Sequence, residues 1–118
     1  MKVIAANAFV LALAASACQS APPPAAGASV SMYQYAGSTQ CERGGKTLDA
    51  LKLELSAAGV QAQSAWCGQD GRMYAQACFT PDGRILVVHI REDQAPAAAR
   101  LGLKPLGELP DSVVVACR

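Results

Sequence analysis

The sequence predicts an α+β fold, a small two-layer sandwich in which a mainly antiparallel sheet carries two helices on one face. Three observations predict it. Segments with helical spacing are interspersed with short β-rich segments, in the order β-α-β-(β)-β-α-β. Asp-Gly turn signals punctuate the middle of the chain at 70–71 and 82–83. Cys41, Cys67, Cys78 and Cys117 give an even cysteine count in a domain of 89 residues, 30–118, which predicts a disulfide-stapled core.

Each element has its own reason. SVSMYQYAG (29–37) is rich in β-formers and puts Tyr33 and Tyr35 on one face. TLDALKLELSAAG (47–59) reads as a helix: Thr47 caps it, Asp49 sits in the positive first turn, and Gly59 stops it. Leu48, Leu51, Leu55 and Ala58 fall on one side of it. VQAQSAWC (60–67) alternates, which predicts a half-buried strand with Val60, Ala62, Ser64 and Trp66 on one face. RMYAQACF (72–79), between the two turn signals, fits either a strand or an irregular excursion. RILVVHI (84–90) is the most apolar segment and is expected at the centre of the sheet. DQAPAAARLG (93–102) predicts a short helix capped by Asp93, with a proline in its first turn. SVVVAC (112–117) is the final strand, after the Pro-interrupted KPLGELPD. The split β-α-β arrangement of ferredoxin-like topology fits this order best.

That layout gathers Cys41, Cys67 and Cys78 at one edge. If 67–72 closes a tight hairpin, Cys67 and Cys78 lie beyond the Cα separation of about 7 Å that a disulfide tolerates. The favoured pairing therefore joins Cys41 to one of them and Cys117 to the other.

The N-terminus makes a separate statement. Lys2 precedes an apolar run, Val3 to Ala17, broken only by Asn7 and Ser16. A bilayer-spanning helix needs about 20 apolar residues, and this run is shorter and ends before three prolines. A positive start, an apolar middle and small residues at the end predict a cleaved export signal over 1–17. Ala15-Ser16-Ala17-Cys18 resembles the lipobox of bacterial lipoproteins, with alanine at the position where leucine is commoner. The resemblance implies that Cys18 carries the lipid and becomes the new N-terminus. Gln19 after it, rather than aspartate, implies the outer membrane, with the domain facing the periplasm; a soluble periplasmic protein is the alternative. Several acyl chains anchor stably, each buried CH₂ contributing about 0.8 kcal/mol. Residues 18–29 then form a Pro/Ala tether, roughly 30 Å long if extended as polyproline II.

Charge excludes some partners. Lys2 is the only charge in the signal, so the mature chain carries nine basic and nine acidic residues. That balance excludes a nucleic-acid partner, which calls for a basic surface. It leaves the lipid as the only predicted membrane attachment.

Candidate chemistry is sparse. Gly44-Gly45-Lys46-Thr47 imitates the end of a phosphate-binding loop, but Gln40 stands where that pattern needs its first glycine. A helix N-terminus beside Lys46 remains able to hold an anion. His89, the only histidine, sits in a strand with no nucleophile or carboxylate placed by sequence to work with it. The acids fall in turns or helix starts. Without C-x-x-C spacing and with one histidine, no metal site and no cofactor are predicted. Trp66, Tyr33, Tyr35 and Tyr74 are candidates for core or recognition surface. The repeated Asp-Gly-Arg at 70–72 and 82–84 presents Arg72 and Arg84 beside turns. DGRI (82–85) is similar to a hairpin of small exported protease-inhibiting lipoproteins, but the chain runs on well past it and lacks the rest of that pattern.

The sequence thus predicts a non-enzymatic envelope module that binds another envelope protein. The candidate contact residues are Trp66, Arg72 and Arg84. The alternatives are a small envelope enzyme or inhibitor, or a protein that handles thiols or metals.

Overall fold

Strand β1 (Ser29–Tyr35) opens the sheet and pairs along its whole length with β3 (Arg84–Arg91), Ser29 opposite Arg91 and Tyr35 opposite Ile85. This is a computed structural model that describes residues 27–42 and 44–118. The expected signal segment 1–17, Cys18, the expected tether as far as residue 26, and Arg43 lie outside the described residues. Helix α1 (Leu48–Ala57) leads to β2 (Ser64–Gln69), which pairs with the other side of β3. A 3-10 turn (Glu92–Gln94) and helix α2 (Ala95–Arg100) then lead to β4 (Lys104–Pro105) beside β1. A second 3-10 turn (Leu106–Glu108) precedes β5 (Val113–Val115) beside β2.

The sheet order is β4-β1-β3-β2-β5 and every pair is antiparallel. The first four strands form two split β-α-β units, each leaving a gap filled by a strand of the other. That is the expected ferredoxin-like topology, but its fourth strand is Lys104–Pro105; the expected final strand, 112–117, instead forms β5 at the opposite edge beside β2.

The helices cover one face of the sheet. Leu51 and Leu55 of α1 and Ala98 of α2 are fully buried there against Met32, Leu86, Val88 and Ile90. Leu51 and Leu55 are four apart, so one helical stripe delivers both. On the other face, Ile85 and Val87 meet Tyr33 and Leu109, with Trp66 and Leu106 packed beside them. The segment after β4 crosses this face on its way to β5 and supplies Leu106 and Leu109. β3 is apolar on both sides because it is central and covered on both sides, as its composition predicts.

Several boundaries differ from expectation. Thr47 caps α1, its Oγ1 accepting the Ala50 amide at 3.1 Å, and Gly59 ends the helix at φ +78°. The expected strand 60–67 begins only at Ser64. Val60 still belongs to α1's closing turn, its amide donating to Leu55 O at 2.8 Å. The two-residue period is therefore not carried through 60–63, and Val60 and Trp66 pack on opposite sides of the sheet instead of sharing a face. Asp93 does not cap the second helix; it pairs with Arg91. Gln94 holds that corner instead, accepting from the Gln61 amide and donating to Gly59 O. β4 had no sequence signal: it is two residues at an edge, where proline is tolerated.

Candidate functional site

The two Asp-Gly-Arg repeats bound a single long connection. β2 ends at Gln69 opposite Arg84, so residues 70–83 form the loop between β2 and β3. Residues 72–79 are irregular, which decides between the two expectations for them. The tight hairpin at 67–72 does not form, and Cys67 lies opposite Leu86. The bridges are Cys41–Cys78 and Cys67–Cys117, with Cα separations of 4.7 and 5.2 Å. This is one of the favoured pairings.

Both repeats fold alike. In each, the aspartate Oδ1 accepts the amide of the arginine two residues on, Asp70 from Arg72 at 2.9 Å and Asp82 from Arg84 at 3.0 Å. Aspartate closing a turn on its own backbone in this way is the Asx turn. The glycines between take φ +80° and +73°. The two turns lie side by side, joined by the Asp70 amide donating to Gly83 O. They form a double turn that closes the neck of the loop.

Both carboxylates are buried, 3% and 6% exposed; Asp70 uses both oxygens, whereas Asp82 Oδ2 has no partner among the described residues. Asp70 Oδ2 accepts from the Tyr35 hydroxyl at 3.0 Å and from the Tyr74 hydroxyl. Asp82 Oδ1 also accepts from the Ser38 hydroxyl at 2.9 Å. Burial alone would raise the Asp70 carboxyl, but the donations from Tyr74, the Arg72 amide and Tyr35 outweigh it. They hold the carboxyl below the usual carboxylate range. The same bonds act in reverse on the phenols. Tyr74 is pushed well up, first by its bond to Asp70 and then by burial; Tyr35 is raised by burial and by Asp70. Tyr33, edge-on to Tyr35 at 5.7 Å, is raised mainly by burial.

A titration follows from these shifts. A phenol raised in the fold contributes stability that is full below its unfolded value, about 10, and that is lost as pH rises through the folded value. The chain's three tyrosines are all raised. In an alkaline titration followed by tyrosinate absorbance, no phenol is expected to ionise with the free midpoint. Asp70→Asn should bring Tyr74 and Tyr35 back toward it. A normal titration in the unaltered protein would show that the Asp70 cluster does not form.

The groove beside this cluster, about 420 Å³, is lined by Tyr35, Tyr74, Arg72, Arg84 and Asp82, among others. It brings together two of the three predicted contact residues, Arg72 and Arg84. Trp66 stands apart, partly buried against the Tyr33–Leu109 cluster. Met73 is fully exposed at the loop's start, and Phe79 is 72% exposed near its end, held at φ +70°, a conformation that non-glycine residues rarely adopt. Neither residue carried a recognition signal in the sequence, because only the loop's path turns them outward. His89 is partly buried on the sheet, its Nδ1 3.0 Å from the Ser31 hydroxyl. Lys46 donates to Gln34 and Glu54, both at 2.9 Å.

The buried carboxylates thus serve to fasten the loop, and what the loop offers outward is apolar and cationic surface. Among the described residues, no cluster of three histidine, cysteine or acidic side chains is placed to hold a metal. No described helix is long and apolar enough to cross a membrane. No protein-family model, curated protein or solved structure matches the chain.

Proposed function

We propose that this chain is an exported, lipid-anchored module that binds another protein of the bacterial envelope through the 70–83 loop. The observation that carries the reading is the fastening of that loop. It spans 14 residues, where hairpin loops usually have 2–5. It is closed by a double turn, locked by Cys41–Cys78 and pinned by Asp70, yet it leaves Arg72, Met73 and Phe79 exposed to solvent. Rigid display of apolar and arginine side chains lowers the ordering cost of association. A non-glycine residue in a rare backbone conformation is the kind of strain found at binding segments.

The anchor rests on the lipobox-like 15–18 segment, and the tether gives the domain reach from the outer membrane. Two disulfides fit an oxidising compartment such as the periplasm.

The test places a photo-crosslinking residue at Met73 in the full chain and irradiates intact cells. A discrete protein adduct is expected, reduced at least several-fold by Phe79→Asp or Arg72→Glu. The same probe at Leu53, exposed on α1, should not give that adduct. No adduct from position 73, or an identical one from position 53, overturns the loop as the contact. The intact mass of the membrane-extracted protein reads the anchor: lipid on Cys18 is expected, and an unmodified mature chain would refute it.

A further inference from the structure

A second cavity, about 150 Å³, lies away from the loop's tip. The Gly44–Leu48 stretch forms one wall and the start of β3 another, and Cys117 and Arg118 close the side. Its described lining includes three cations, Lys46, Arg84 and Arg118, and no acidic side chain. Lys46 is already satisfied by Gln34 and Glu54. Arg84 is not. Its Nη1 donates to Ala116 O at 3.2 Å, but its Nε is buried with no acceptor among the described residues, as Asp82 Oδ2 is buried with no donor. Burial and the Arg118 cation both work against the charged form of Arg84, and Asp82 only partly opposes them. Two guanidinium groups on one small cavity repel each other, and an anion between them would relieve that repulsion.

The first turn of α1 adds donors. A helix's opening amides have no intrahelical acceptor. Here Thr47 takes up the Ala50 amide, while Thr47 and Leu48 border the cavity. Arg84, Arg118 and the residues that open α1 thus line one cavity. A planar carboxylate is satisfied by one arginine fork. Donors spread over several directions suit a tetrahedral group.

We propose that this cavity binds a phosphate group between Arg84 and Arg118, with the start of α1 behind it. The cavity's size fits a single phosphate. Free phosphate and a phospholipid headgroup share that chemistry. The inference does not rest on the protein-partner reading, because neither titration that tests it contains a protein partner.

The protein is extracted from membranes in a non-ionic detergent and titrated with inorganic phosphate, followed by the amide signals of Leu48 and Asp49. A parallel titration uses micelles doped with phosphatidylglycerol. Saturable shifts are expected in at least one arm. Arg118→Gln, at the exposed C-terminal end, and Arg84→Gln should each weaken binding roughly tenfold or more, as for a lost hydrogen bond to a charged group. Saturation with inorganic phosphate marks the free anion as ligand, and saturation with the doped micelles alone marks the headgroup. No saturable shift in either arm, or an affinity left unchanged by both substitutions, overturns the site. Arg118→Gln keeps the test decisive if Arg84→Gln fails to fold.

Discussion

Replacing Gly71 with alanine is expected to destabilise the protein by roughly 2–5 kcal/mol, read as a fall in the denaturant midpoint. Two effects combine. The residue sits at φ +80°, where a Cβ costs roughly 1–2 kcal/mol. That Cβ would also collide with the backbone of Asp111, lying 2.7 Å from its carbonyl carbon. Overpacking of this kind adds roughly 1–3 kcal/mol. Backbone cannot swing aside, and Asp111 belongs to the segment that carries Leu109 across the sheet. Gly59→Ala is the control: φ is +78°, but nothing lies within 4 Å of the added atom, so only the conformational cost should appear. Equal costs at 71 and 59 would show that the loop's neck does not press against the crossing segment. At Gly83 the collision is with the Tyr74 ring and Asp70 Oδ1. A ring can rotate away, so Gly83→Ala should free the Tyr74 phenol as well as lower stability.

Removing Cys67–Cys117 as the double alanine variant is expected to cost about 4 kcal/mol, the chain-entropy value for a bridge spanning 50 residues. A domain of this size has only about 5–15 kcal/mol to lose. The bridge matters more than the sheet at that end. β5 is three residues long, and two of its valines are largely exposed. Its pairing with Cys67–Gln69 depends on the bridge holding the C-terminal segment in place. The two bridges should also differ toward reductant. Both ends of Cys41–Cys78 are exposed, whereas Cys67 is buried. Cys41–Cys78 should therefore open first, loosening the loop while the sheet persists. The mass after thiol alkylation at rising reductant reads the order. Opening of Cys67–Cys117 first, or of both together, would refute it.

The legible parts of the sequence share a physical character. Leu51 and Leu55 repeat at helical spacing, Thr47 and Gly59 mark the ends of α1, and β3 is a continuous apolar run. Each acts within a few residues, so the pattern is written where the structure forms. The ferredoxin-like order is the one these elements favour, because short connections allow few ways of burying a two-helix face, but the strand that completes it, Lys104–Pro105, is set by its pairing with β1. The loop's Asp-Gly-Arg repeats were visible as turns. Their side-by-side packing was not, because it depends on a hydrogen bond between residues 70 and 83.

The candidate site was legible only in part. Arg72 and Arg84 were identified from the repeat and do share a groove. Trp66 was placed with Val60 by a period that the chain does not keep through 60–63. Met73, Phe79 and the Tyr35–Asp70–Tyr74 cluster depend on contacts between residues far apart in the chain.

By itself, then, the sequence determined the fold class, the two helices, the central strand and the need for two bridges, since local spacing and cysteine number suffice for these. Tertiary structure alone decided which cysteine of the middle pair joins Cys41. It also decided that 72–79 is a fastened loop and that Arg84 and Arg118 meet across a cavity. Those outcomes turn on distances between segments separated by tens of residues. Such distances are set by how the sheet, the crossing segment and the bridges pack together.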